Sequence, residues 1–130
     1  MKRFVLTAAL AALAGGLVMS LPVRTAQATM NFKNAFEAKY VKADSADAAE
    51  QALAAAVKEA KCNVCHTGTS KKMRNAYGKA LDQLLDKAEK DPVKITEALE
   101  KVAAEKSNPE DANSRTFGEL LKEGKLPGAN

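Results

Sequence analysis

Residues 61–66 read Lys-Cys-Asn-Val-Cys-His and hold every thiol and the one imidazole of this 130-residue chain. Cys62 and Cys65 are three positions apart, and His66 follows at once. This Cys-x-x-Cys-His pattern is the attachment signature of c-type haem. Two thiols at this spacing can form thioethers with two vinyl groups on one edge of the porphyrin, and the adjacent imidazole can bind the iron.

Two other kinds of site use the same residue types. A redox dithiol of the thioredoxin kind is expected near a βαβ pattern, which this chain lacks. A structural zinc site takes four ligands, and no further cysteine or histidine is present. We therefore expect one covalently bound haem c, with Cys62 and Cys65 as anchors and His66 as the proximal iron ligand.

The sixth ligand of the iron is open at the level of sequence. Met73 is the leading candidate, because a glycine-bearing loop separates it from His66 and it begins an apolar helical stripe. It could equally be a packing residue. Met30, a lysine, or no protein ligand at all are the alternatives. Tyr77, one turn beyond Met73, is predicted either to lie beside the haem or to be a core-edge tyrosine with its hydroxyl in water.

The apolar periodicity predicts an all-α fold of four or five short helices packed around the haem. The first helix carries Phe32, Phe36 and Tyr40 on one face, where they either cover the haem or pack against other helices. An alanine-rich helix over 46–61, capped by Asp44-Ser45, runs into Cys62. The next helix has the clearest stripe, at positions 73, 76, 77, 80, 81, 84, 85 and 88.

Two more helices are predicted from their ends. Asp91-Pro92 is an N-cap followed by proline at the first helical position, and Ser107-Asn108-Pro109 is predicted to stop the helix that it opens. Thr116 and Glu119 form a capping box, and Gly124 is a typical residue just past a helix end.

Residues 1–28 have the three parts of a secretory signal peptide: a basic head, an apolar run and an Ala-Gln-Ala cleavage site. An uncleaved membrane anchor is the alternative. Cleavage after Ala28 leaves residues 29–130 as one domain, exported to the periplasm or an equivalent compartment and free of the membrane. The segment carries three of the 20 basic and none of the 16 acidic side chains, so the mature net charge is about +1. That value gives no indication of nucleic-acid binding.

The motif and its surroundings resemble a known family. The stretch KCNVCHTGTSKKMRNAYGKAL, with TFGELLKEGKLPG near the end, is similar to the small helical monohaem c-type cytochromes of planctomycete and anammox-type bacteria. Some of that group work as dimers whose haem has histidine and cysteine ligands and binds small gases. This chain has no third cysteine, which excludes a thiolate as the sixth ligand. The resemblance implies haem-binding roles for Cys62, Cys65 and His66 alone, and it leaves monomer and dimer both open.

These patterns predict a single-electron carrier and no enzyme activity. A binder or sensor of nitric oxide or carbon monoxide, and a haem-bearing subunit of a larger redox complex, are the alternatives. Four basic residues follow the motif and could steer an acidic redox partner, although such clusters are commonly just solvated surface. They are Lys71, Lys72, Arg74 and Lys79.

Overall fold

The computed structural model describes residues 25–128, which fold into five α-helices joined by loops. The helices are α1 (Thr25–Tyr40), α2 (Ala48–Ala60), α3 (Ala76–Leu84), α4 (Pro92–Ala103) and α5 (Phe117–Lys122), and a 3₁₀ turn (Lys61–Val64) follows α2 directly. Within residues 25–128 no strand forms, and β-type pairing is limited to two isolated bridges. The prediction of an all-α fold is confirmed.

Helix α4 lies at the centre of the helical packing, in contact with α1, α3 and α5. Its inward residues Ile95, Leu99 and Val102 are each no more than 1% exposed. They are spaced by four and three positions, so they form one continuous stripe along a 3.6-residue period. This stripe is the face that α4 buries against its neighbours α1, α3 and α5.

Four aromatic rings join α1, α3 and α5 through the core. Phe36 packs against Tyr40 at 5.2 Å between ring centroids and against Tyr77 at 5.9 Å. Tyr77 packs in turn against Phe117 at 5.2 Å in an edge-to-face arrangement, a geometry that aromatic pairs favour. The Tyr40 hydroxyl donates a hydrogen bond to the carbonyl of Leu99, which ties the end of α1 to α4.

Local capping chemistry sets where most helices begin. Asp91 caps α4 with Pro92 in its first turn, and Thr116 and Glu119 form the predicted capping box of α5. Helix α2 begins later than predicted. Its N-cap is Asp47, whose carboxylate accepts hydrogen bonds from the backbone of Ala49 and Glu50, so the prediction of a cap at 44–45 is wrong.

Helix α3 is shorter at both ends than its apolar stripe predicts. It begins at Ala76 behind the N-cap Asn75, and it ends at Leu84 because Leu85 is extended. Leu85 is still buried, whereas position 88 is exposed in a loop. Met73 lies before the helix and is 61% exposed, so the expectation that it begins the apolar stripe of this helix is wrong.

Helix α4 ends at Ala103, before the predicted stop at 107–109. The chain turns early because Ser107 is buried and its amide donates to the carbonyl of Arg115. An antiparallel bridge between Lys106 and Thr116 closes the same loop. The connector between α4 and α5 is therefore folded back on itself.

The predicted signal peptide lies largely outside the described residues, which begin at Thr25. Residues 25–28, at its end, belong to the first turn of α1. Among the described residues, no helix combines the length and the apolar character needed to cross a membrane. Export and cleavage after Ala28 stay predictions.

Candidate functional site

The Cys-x-x-Cys-His motif begins where α2 ends. Lys61, the residue between them, has φ of +52°, an uncommon conformation for a residue other than glycine. Its amide still bonds to the carbonyl of Val57, and the chain then tightens into the 3₁₀ turn. The turn buries Val64 in the core, exposes Cys62 and leaves Cys65 half-buried. Both thiols are free.

The buried side chain of Asn75 fastens the motif to α3. Its Nδ2 group donates to the carbonyls of Asn63 (3.3 Å) and Val64 (3.0 Å). Its Oδ1 atom accepts from the amide of Gly78 at 2.9 Å and so caps α3. Its own amide donates to the carbonyl of Cys65 at 3.1 Å. One residue therefore bonds to three consecutive residues of the motif and to the first turn of the helix.

Helix α3 also touches the motif through its backbone. A Cβ atom placed on Gly78 would lie 2.0 Å from the carbonyl oxygen of Cys65, which is far inside van der Waals contact. Glycine is thus required at this approach of helix to turn. Asn75 also has a close neighbour at the end of the described chain. A Cβ atom on Gly128 would collide with the Asn75 side chain. The end of the described chain therefore packs over Asn75.

The His66 ring is held by the loop that follows it. Its Nδ1 atom lies 3.3 Å from the carbonyl oxygen of Met73, and the amide of Thr67 donates to the same oxygen at 3.0 Å. A bridge between His66 and Arg74 closes the loop. A ring whose Nδ1–H bonds to a carbonyl keeps Nε2 as its free basic nitrogen, the arrangement that metal-binding histidines use.

The motif forms one wall of a cleft. The apolar lining includes Phe36 from α1, Val57 from α2, Val64 from the turn and Leu81 from α3. Cys62, Cys65 and His66 all line it as well. The cleft thus combines an apolar interior with both thiols and the imidazole of the motif. Met30 and Phe32 extend the lining along α1.

Charged side chains border this cleft, and most of them are basic. Lys33 pairs with Glu37 at 2.6 Å, and Arg74 pairs with Asp82 at 3.0 Å. The other basic residues of the lining are Lys61, Lys71 and Lys87. Among the described residues these three lysines form no ion pair. We call them the rim lysines.

The basic cluster predicted from the sequence does not lie together beside the cleft. Lys71 and Arg74 line it, and Arg74 is already paired with Asp82. Lys79 lines a separate groove with Phe117 and Lys106. Lys72 is exposed and lines neither. The positive border of the cleft instead includes Lys61 and Lys87, which are distant from each other in sequence.

Two groups at the site have raised pKa values, one in the motif and one in α3. Burial, reinforced by the neighbouring Cys62, raises the pKa of the Cys65 thiol to about 12. Burial, then the nearby Cys65 and Tyr40, also raises the pKa of Tyr77 well above its usual range. The Tyr77 hydroxyl has no hydrogen-bond partner and the residue is 0% exposed, so the expectation of a hydroxyl in water is wrong. The ring is buried in the core because Phe36 and Phe117 pack against it.

Of the residues predicted to bind the cofactor, the structure brings Cys62, Cys65 and His66 together at the cleft. Met73 and Tyr77 do not line it. Met73 reaches the site through its backbone carbonyl, at the Nδ1 atom of His66, while its side chain is exposed. Asn75 and Gly78 were not singled out from the sequence, although asparagine one residue before a helix is a common capping signal.

The donor set fits a c-type haem. Free thiols, an imidazole with Nε2 available and an apolar interior are what covalent attachment and iron binding need. Between residues 25 and 128, no group of three or more His, Cys, Asp or Glu side chains is placed to hold a metal ion by itself.

Comparison of the chain with protein-family models, with curated proteins and with solved structures gave no match. Function is therefore inferred from the residues of the cleft.

Replacing Asn75 with alanine should lower the free energy of unfolding by about 2–3 kcal/mol, because it removes a helix cap and leaves buried carbonyls without donors. Denaturant unfolding of the purified protein measures this. Asn63→Ala is the matched control, since the Asn63 side chain is exposed and only its backbone carbonyl is used. Equal effects of the two substitutions would contradict the role given to Asn75.

Proposed function

We propose that this protein is a c-type cytochrome that carries single electrons in an exported compartment, with one haem bound covalently through Cys62 and Cys65. The observation that carries the proposal is the position of the motif. Both thiols and the His66 ring line one cleft whose interior is apolar. The same residues scattered over separate surfaces would offer no common site for a flat, apolar group.

The residues of the cleft would bind different parts of the haem. Cys62 and Cys65 would hold the group through thioether bonds, each S–H bond adding across a vinyl double bond with the proton going to the neighbouring carbon. Nε2 of His66 would bind the iron, and the Met73 carbonyl orients the ring at Nδ1. Phe36, Val57 and Leu81 keep water from one side of the site. A bound haem supplies the one-electron chemistry of its iron, and the protein tunes it through axial ligands and burial.

A second function is favoured by one observation. Met73, the leading candidate for the sixth ligand, is 61% exposed and does not line the cleft. If no other side chain takes its place, the sixth position is open to a small gas, and the protein is then a binder or sensor of nitric oxide or carbon monoxide. Carbon monoxide binding to the ferrous protein separates this function from electron transfer.

Export belongs to the same proposal. The predicted signal peptide would carry the chain to the compartment where c-type haem is attached. After cleavage at Ala28, α1 would begin at residue 29, next to Met30, which lines the cleft.

The double substitution of Cys62 and Cys65 by alanine should abolish covalent attachment. Acidified organic solvent should extract haem from the variant, or no haem-containing protein should accumulate, whereas wild-type protein should keep its haem under the same treatment. Cys-free protein that retains haem in acid solvent would refute the role of the motif. Asn63→Ala, inside the same motif, serves as a control that should leave attachment unchanged.

The rim lysines should control electron exchange with anionic partners. Oxidation of the reduced protein by ferricyanide, a multiply charged anion, should slow as ionic strength rises. Replacing Lys61, Lys71 and Lys87 with glutamine should lower the rate at low salt by about tenfold and flatten the salt dependence. Stopped-flow absorbance of the haem measures both.

Lys72→Gln/Lys79→Gln/Lys101→Gln is the matched control, because it also removes three charges, from exposed lysines that do not line the cleft. The control should keep nearly the wild-type rate. If the control and the rim variant slow the reaction equally, the effect comes from net charge and the cleft border has no special role.

A further inference from the structure

We infer that the thioether of Met30, on α1, would be the second side-chain ligand of the iron, besides His66. The inference rests on the proposed haem attachment and extends it to a residue of a different helix. Met30 and Met73 are the two methionines beyond residue 28. Met30 lines the cleft that holds Cys62, Cys65 and His66, and Met73 does not.

The placement of Met30 on its helix agrees with this role. Met30, Lys33 and Glu37 all line the cleft and are spaced by three and four positions, so one face of α1 borders it. The Met30 side chain is 52% exposed and belongs to no part of the buried core. Packing into the core therefore does not explain why Met30 lies along the cleft.

Helix α1 is anchored close to Met30. Phe36, six residues later, is buried in the core, and Phe32 packs against the same cluster. The Tyr40 hydroxyl fixes the far end of the helix to α4. Met30 therefore lies within about one turn of a packed residue, which limits the fraying expected near a chain terminus.

The other donors of the lining are less suitable. Lysine amines are protonated at neutral pH and have no lone pair for a metal. Lys33 and Glu37 are paired with each other, and Asp82 is paired with Arg74. A thioether is neutral at every pH and binds haem iron, with the effect of raising the reduction potential. Of the side chains along the cleft, Met30 alone is an unpaired neutral ligand besides the motif itself.

The test compares two single substitutions in the haem-loaded protein. Methionine ligation gives ferric haem a weak far-red absorption band and keeps ferrous haem closed to carbon monoxide. Wild-type protein should show the band, Met30→Ala should lose it and bind carbon monoxide, and Met73→Ala should keep the wild-type spectrum. Met30→Leu, which preserves size and helix propensity, should behave as Met30→Ala and excludes a simple folding defect.

Each sample is also assayed for covalent haem by its spectrum in alkaline pyridine. This assay tests haem attachment separately from ligation by Met30. Covalent haem without a band that depends on Met30 overturns the ligand assignment and leaves the attachment standing. A band lost in Met73→Ala and kept in Met30→Ala overturns it as well. If wild-type ferrous protein binds carbon monoxide readily, the assignment of Met30 as a ligand is overturned and the gas-binding function is favoured. Absence of covalent haem in wild-type protein overturns both inferences.

Discussion

The hydrogen bonds of Asn75 are the constraint on which the rest of the site depends. A 3₁₀ turn has few internal hydrogen bonds and is seldom long, so the turn that carries Cys62 and Cys65 needs support from outside. Asn75 gives that support by bonding to the carbonyls of Asn63, Val64 and Cys65 while capping α3. Gly78 also lets the first turn of α3 approach the Cys65 carbonyl, so the motif and α3 are joined both by hydrogen bonds and by backbone packing.

This constraint makes the two sides of the cleft unequal. The side of the motif is rigid, because the Asn75 bonds, the Gly78 contact and the Met73 carbonyl all fix the chain around His66. The side of α1 is held by packing farther along the helix, at Phe36 and Tyr40, and its residue Met30 is half-exposed. Under the proposed function, the motif would hold the haem and one iron ligand. The residues that α1 places along the cleft would then decide between electron carrier and gas binder.

The sequence predicts best those features of the structure that depend on residues close together in the chain. The caps at Asp91 and Thr116 were predicted because a helix N-terminus is decided by the side chains within one turn of it. The motif was predicted as a site because its chemistry lies within five consecutive residues. Met73 was misplaced because it fits the apolar period of α3, yet that helix is capped by Asn75 and begins at Ala76, three residues after Met73. Periodicity alone cannot tell which residue of a stripe the cap excludes.

The remaining errors come from contacts between distant segments. Tyr77 is fully buried because Phe36 and Phe117, from two other helices, enclose its ring. Lys61, Lys71 and Lys87 come from three parts of the chain and meet only at the border of the folded cleft. No run of charged residues in the sequence predicts that these three lysines lie near one another. Met30 was a minor candidate in sequence, and only the fold shows that it lines the same cleft as the motif.

The mass of the intact wild-type protein, exported by a cell that makes c-type cytochromes and measured in denaturant, tests the central claim most directly. The account predicts the mass of residues 29–130 plus one haem, because thioether bonds to Cys62 and Cys65 survive unfolding and the signal peptide is removed. The mass of the unmodified chain alone would contradict the account, since a cleft that holds haem only by packing would release it in denaturant.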